Sequence, residues 1–132
     1  MQTYIVHWQF PDQESHMQGA EAFAGFVEGG CDGDEFDGFK VLNRVLNPEG
    51  ANGWAIVESS NHQNIWKWSS IWVDNFGVEI EVTPVLTDQE FLSVHKEIAK
   101  DYPTIADLMR EQKVAYERGN TVHHRRDLDS RG

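Results

Sequence analysis

Apolar and polar residues change period along this chain, and the changes mark its elements. Thr3 to Phe10 is rich in β-branched and aromatic residues and ends at the turn signal Pro11-Asp12, which predicts a first strand. From Ser15 to Glu28 the period lengthens, with Met17, Ala20, Phe23, Ala24 and Val27 at helical spacing. Ser15 with Gln18 reads as a capping box and Gly29-Gly30 as the stop, so a helix is expected there. Cys31 to Gly38 reads as a loop, Phe39 to Leu46 as a second strand closed by Asn47-Pro48-Glu49-Gly50, and Gly53 to Glu58 as a third. Ser60 with Gln63 suggests a second capping box for a helix beginning near Asn61. In it Ile65, Trp68, Ser69, Trp72 and Phe76 share a face, Trp66 and Val73 point elsewhere, and Gly77 is the stop. Val78 to Val85 is the fourth strand.

The order strand-helix-strand, given twice, predicts an antiparallel sheet with both helices on one face, the ferredoxin-like βαββαβ arrangement of an α+β protein. Such a sheet leaves its other face open, and two copies closing face to face would cover it, so a homodimer is expected. Residues 1–86 form this domain, and residues 87–132 a C-terminal helical extension. Helical patterns run over Thr87 to Lys100 and Thr104 to Gly119, with Pro103 separating them. The first repeats Phe91, Val94 and Ile98, with Leu92 and Ala99; the second repeats Ile105, Leu108, Met109, Gln112 and Ala115. Each has a face to bury, so the arm is expected to dock on a partner protomer or on the barrel flank. Asn120 to Gly132, with His123-His124-Arg125-Arg126, has little that is apolar and reads as a frayed or partner-docked tail.

Three stretches carry a family resemblance: Tyr4-Ile5-Val6-His7-Trp8, Gly53-Trp54-Ala55-Ile56-Val57-Glu58, and Trp72 through Glu81-Val82-Thr83-Pro84-Val85. Over residues 3–86 the chain resembles a family of small uncharacterised bacterial proteins of the dimeric α+β barrel superfamily. The resemblance implies fold and pairing, and no established reaction. Where that family has a small residue, Arg, an aromatic and His at the end of strand two, this chain has Asn43-Arg44-Val45-Leu46, keeping the Arg and lacking the His. Broader relatives on this barrel include cofactor-independent monooxygenases, haem-degrading enzymes and simple ligand binders, so the fold does not choose among them.

Charge narrows the choice. Eleven Lys and Arg stand against 22 Asp and Glu in 132 residues, a formal charge of −11, which repels phosphate backbones and anionic membrane surfaces. No nucleic acid and no membrane are expected as partners. The start of the chain lacks a basic-then-apolar leader pattern, and the lone Cys31 permits no intrachain disulfide. A reducing, cytoplasmic setting fits both.

Strand alternation puts Ile5, His7 and Gln9 on one face of strand one, and Glu79, Glu81 and Thr83 on one face of strand four, opposite the apolar sets Tyr4-Val6-Trp8-Phe10 and Val78-Ile80-Val82. The polar set would line a barrel interior, where His7 near a carboxylate is the candidate catalytic base; an interface histidine with satisfied hydrogen bonds is the competing reading. The candidate ligand-binding residues are His7, Gln9, Arg44, Trp54, Trp66, Glu79 and Glu81. Of the five Trp, Trp66 lies off the apolar helix face and suits either a ligand wall or a dimer contact. Asp32, Asp34, Glu35 and Asp37 crowd one loop, but not at EF-hand spacing, and read as a solvated acidic loop. His123-His124 are adjacent and unsuited to one zinc ion, and Cys31 has no basic neighbour in sequence to activate it. No phosphate-cradling glycine loop occurs, so no metal and no cofactor are expected.

Function therefore reads as unknown. The leading class is a homodimeric protein binding a small organic ligand or another protein. The alternatives are a cofactor-independent monooxygenase or isomerase acting in the barrel cavity, and an acidic interaction protein binding through its C-terminal arm.

Overall fold

The computed structural model describes residues 1–101 and 103–122, with side chains described for 1–101 and 107–117. The expectations for the Ile105 side chain and the His123-His124-Arg125-Arg126 run lie outside the described residues. The chain divides into two compact units, Met1–Thr87 and a second beginning at Asp88.

In the first unit the elements run β1 (Gln2–Gln9), α1 (Gln13–Glu28), β2 (Glu35–Phe36), β3 (Phe39–Asn47), β4 (Asn52–Ser59), α2 (His62–Phe76) and β5 (Glu79–Val85). The sheet order is β2-β3-β4-β1-β5, antiparallel at every pairing. Without the two-residue β2 this is the ferredoxin-like βαββαβ topology, as the sequence predicts. β2 is the unpredicted strand. It arises inside the acidic loop because Gly38, at φ 84°, turns the chain tightly enough for Phe36 to pair with Phe39, their rings stacked at 4.9 Å.

Both helix starts differ from the capping boxes read in the sequence. Asp12 caps α1, its carboxylate accepting from the Ser15 N–H at 2.7 Å, and Asn61 caps α2, its Oδ1 accepting from the Asn64 N–H at 2.9 Å. In each case an Asx residue stands three positions before an unsatisfied helical N–H, and its short side chain reaches it. The backbone bond from Ser15, then the Ser15 hydroxyl, hold the Asp12 carboxyl below its ordinary value. Gly77, at φ 66°, ends α2 as predicted.

Helix α1 also turns differently from its predicted face. Met17 and Val27 are 63% and 48% exposed, whereas Gly19 is buried and Phe23 and Phe26 turn inward. The cause is Gly19, whose missing Cβ leaves the space taken by the Phe10 ring, so the helix approaches the sheet along positions 19, 23 and 26. The predicted face of α2 does turn inward: Ile65 and Ser69 are buried and Trp68, Trp72 and Phe76 half-buried.

The core is Val6, Phe39, Ala55, Val57 and Ile65, with Tyr4, Trp8, Val41, Trp68, Ile80 and Val82 packed against it. It lies on the helix side of the sheet, as the apolar sets of β1 and β5 require, and each large side chain buried there contributes about 1.5–3 kcal/mol. A β-bulge between Val41 and Asn43 interrupts the β3 pairing. The extra residue, Leu42, reverses the alternation beyond it. Phe39 and Val41 face the helices, and so does Arg44, opposite the buried Ala55, while Val45 stands opposite Trp54 on the open face.

The second unit holds α3 (Asp88–Asp101) and α4 (Pro103–Val122), packed on one another, with Pro103 at the first position of α4 and the helix running past the expected end at Gly119. Ile98 and Ala99 are half-buried, while Phe91, Leu92, Val94, Leu108 and Met109 are exposed. Among the described residues no helix is long and apolar enough to cross a membrane.

Candidate functional site

Two large rings cannot fill the space under α1 when the helix is held close by Gly19 yet propped by Phe23 and Phe26. A cavity of about 250 Å³ remains between α1, α2 and the helix side of the sheet. Its walls are apolar and aromatic: Val6 and Trp8 from β1, Phe10 beyond it, Phe23 and Phe26 from α1, Trp68 and Trp72 from α2, and Ile80 from β5. Trp72 meets Phe23 and Phe26 edge-on at 6.1 Å each, so the rings brace one another. Gly53, buried and paired across the ladder with Trp8, accommodates that indole where any Cβ would collide with it.

The principal polar group in the cavity is the Arg44–Asp34 pair. Arg44 donates through Nη1 to Asp34 Oδ1 at 3.1 Å and through Nη2 to Oδ2 at 2.9 Å, a bidentate fork whose side chains are only 15% and 18% exposed. Trp68 Nε1–H donates to the same Asp34 Oδ1 at 3.3 Å. Arg44 Nη2 also approaches Cys31 Sγ at 3.6 Å, and the guanidinium lies over the Phe23 and Phe26 rings at 5.0 and 5.7 Å. Pairing, hydrogen bonds and stacking together allow a charge to sit in an apolar wall. His16, edge-on to Phe10 at 5.3 Å, is the titratable residue elsewhere on the lining.

The residues singled out in the sequence divide among three places. His7, Gln9, Trp54, Glu79 and Glu81 lie together on the open face: His7 is flanked in register by Trp54 and Glu81, and Gln9 by Asn52 and Glu79. The His7 and Trp54 rings lie 5.1 Å apart, and Asn52 Nδ2 is 3.3 Å from His7 Nε2. Asn52 Oδ1 is buried without a partner among the described residues. Gln9 Nε2 donates to the Gly50 carbonyl at 2.9 Å, which holds the β3–β4 turn. Arg44 is not with them. The bulge carries it through to the helix side, opposite Ala55, so within one protomer His7 and Arg44 lie on opposite faces of the sheet. Trp66 stands apart from both groups, exposed on α2 beside a more open groove along β5.

Asp34 and Cys31 were hidden in the sequence because they reach Arg44 across ten and thirteen positions. Asp32, Glu35 and Asp37 stay exposed, so the acidic loop is solvated except at Asp34. Among the described residues no three His, Cys, Asp or Glu side chains gather as a metal site. Phe26 followed no predicted face; only its i+3 relation to Phe23 pointed to it.

Topology and site define a ferredoxin-like α+β unit with an aromatic cavity under its helices and an open second sheet face. A family model described as a domain of unknown function, DUF3303, matches residues 2–99, and the chain belongs to that family. The match runs past the sheet into α3. No curated protein matches the chain. Among solved structures it is similar to an uncharacterised protein from Thermotoga maritima, at 18% identity over 64% of this chain and 98% of that one, TM-score 0.36. It is also similar to two dimeric ferredoxin-like proteins from an uncultured marine organism. One is 11% identical over 65% of this chain and 95% of that one, TM-score 0.36; the other is 13% identical over 65% and 94%, TM-score 0.33.

Proposed function

We propose that this protein binds a small, largely apolar organic molecule in the cavity between α1, α2 and the sheet. The observation that carries this reading is a space of about 250 Å³ walled by rings and furnished with one half-buried, bidentate ion pair. A fold seeking stability alone would fill such space, since close packing is the rule in interiors. Titration with naphthalene, followed by tryptophan fluorescence, tests it. Saturable binding is expected in the native chain and its loss in Ile80→Trp, which enlarges a helix-side residue of the lining into the space; no binding, or equal binding in that variant, contradicts it.

The working form is a cytoplasmic homodimer closing through the open sheet faces. Support comes from the row Ile5, Val45, Trp54 and Ile56, of which Val45, Trp54 and Ile56 are exposed large apolar side chains on one face. The lone Cys31 suits a reducing compartment, and a charge of −11 argues against nucleic acid and anionic membranes as partners. Light scattering should give twice 15.1 kDa for the native chain and the monomer mass for Ile56→Glu.

The enzyme reading with His7 as base has less support. His7 and Arg44 occupy opposite faces, so a substrate held by Arg44 within one protomer is out of reach of the imidazole.

A further inference from the structure

The cavity has a polar end whose charge is already spent, and this bears on what it admits. A guanidinium offers five N–H donors. In Arg44 three contacts are made, two to Asp34 and one to Cys31 Sγ, leaving two of the five donors without a protein acceptor among the described residues. Asp34 in turn accepts from Arg44 twice and from Trp68 once. The pair is therefore neutral as a unit, rich in donors, and poor in free acceptor sites.

Resting on the reading of the cavity as a ligand site, we infer that its ligand is an uncharged aromatic molecule of one or two rings bearing a carbonyl-type oxygen that accepts from Arg44. Size comes from volume: a dry cavity of about 150 Å³ holds one benzene, so about 250 Å³ suits two fused rings. Ring character comes from the walls, where Trp8, Phe10, Phe23 and Trp72 offer faces and edges for stacking. Neutrality comes from Asp34. An anion entering beside Arg44 meets a carboxylate that already neutralises the guanidinium, and gives up its hydration without a net opposite charge to replace it. A cation meets Arg44 itself. A carbonyl oxygen suffers neither penalty and can accept from one of the two Arg44 donors left without a protein acceptor among the described residues.

Three probes with one ring system separate the terms: naphthalene, 2-acetylnaphthalene and 2-naphthoate, titrated calorimetrically into the full chain. The ketone is expected to bind about tenfold more tightly than naphthalene, the scale of one well-placed hydrogen bond, and more tightly than the carboxylate by at least as much. In Arg44→Met combined with Asp34→Leu and Trp68→Phe, which removes both charges and also the indole N–H that loss of Asp34 would otherwise leave unpaired, the ratio of ketone to naphthalene affinity should collapse to about twofold or less. Tighter binding of naphthoate than of the ketone, or a ketone advantage that survives the triple replacement, overturns the inference while leaving the cavity reading intact. Failure of all three probes, naphthalene included, removes the cavity reading and the inference with it. The probe ranking on the native chain decides the matter even if the triple variant does not fold.

Discussion

Replacing Gly53 by Ala tests the packing that shapes the cavity. A Cβ built at Gly53 meets Cζ2 and Cε2 of the Trp8 indole and comes within 2.7 Å of the Val45 carbonyl oxygen. That carbonyl cannot retreat without disturbing the β3–β4 ladder, in which Val45 pairs with Trp54 and Leu46 with Gly53. The indole must move into the cavity it lines, and the ladder must also yield at the Val45 carbonyl, which moving the ring does not relieve. Overpacking of this kind costs about 1–3 kcal/mol, and the backbone clash puts Gly53→Ala in the upper half of that range. For a unit of this size each kcal/mol lowers Tm by about 4–8 °C, so a fall of roughly 8–24 °C is expected. The urea midpoint should drop with an unchanged slope, because the folded state stays compact. Naphthalene binding should weaken in the same variant, since the displaced ring occupies the site. A variant with native Tm and native binding would show that Trp8 does not lie over Gly53, and the derived shape of the cavity would fall with it.

Asn61→Ala should cost about 1 kcal/mol by removing the α2 cap, and Asn61→Asp should cost less, as denaturant unfolding would report; equal losses would mean that the side chain does not cap. The lowered carboxyl of Asp12 contributes stability that is fully present above its unfolded value and lost as pH falls through its folded one. Acid titration of stability should therefore lose a small increment in Asp12→Asn on the acid side of the ordinary carboxylate range, and identical profiles would count against it. His7→Ala should leave naphthalene affinity unchanged, because His7 lies on the open face; a large loss would transfer the site to that face. Truncation after Leu86 should weaken dimerisation if the exposed Phe91, Leu108 and Met109 bury against a partner protomer, and sedimentation equilibrium with an unchanged constant would refute that docking.

Long periodic elements were legible in the sequence and local exceptions were not. β1, β4, α2 and β5 follow from alternation, helical spacing and the Gly77 stop, because each is set by one repeating pattern facing one core. Three features escaped that logic. Ser15 and Ser60 looked like caps because serine and a following Gln satisfy the capping-box pattern, yet the neighbouring Asp12 and Asn61 had the better placed oxygen. The β3 bulge is an insertion of one residue with no glycine to announce it, and it sent Arg44 to the helix side. The cavity itself rests on contacts such as Arg44 with Asp34 and Gly19 with Phe10, which join residues whose sequence neighbours say nothing of each other. Periodicity reveals which face is buried, and it does not reveal where burial is incomplete.

The five tryptophans report separately on the cavity and on the surfaces outside it. Trp8, Trp68 and Trp72 line the cavity, whereas Trp54 lies on the open sheet face and Trp66 is exposed on α2. Titrating 2-acetylnaphthalene into 15N-labelled protein and following the indole N–H resonances reads all five at once. The three cavity resonances should shift together and saturate, with that of Trp68 shifted most because its N–H bonds Asp34 beside the polar end, while those of Trp54 and Trp66 stay in place. Saturating shifts at Trp54 with Trp8, Trp68 and Trp72 unmoved would place the ligand on the open face and rule out the cavity as its site.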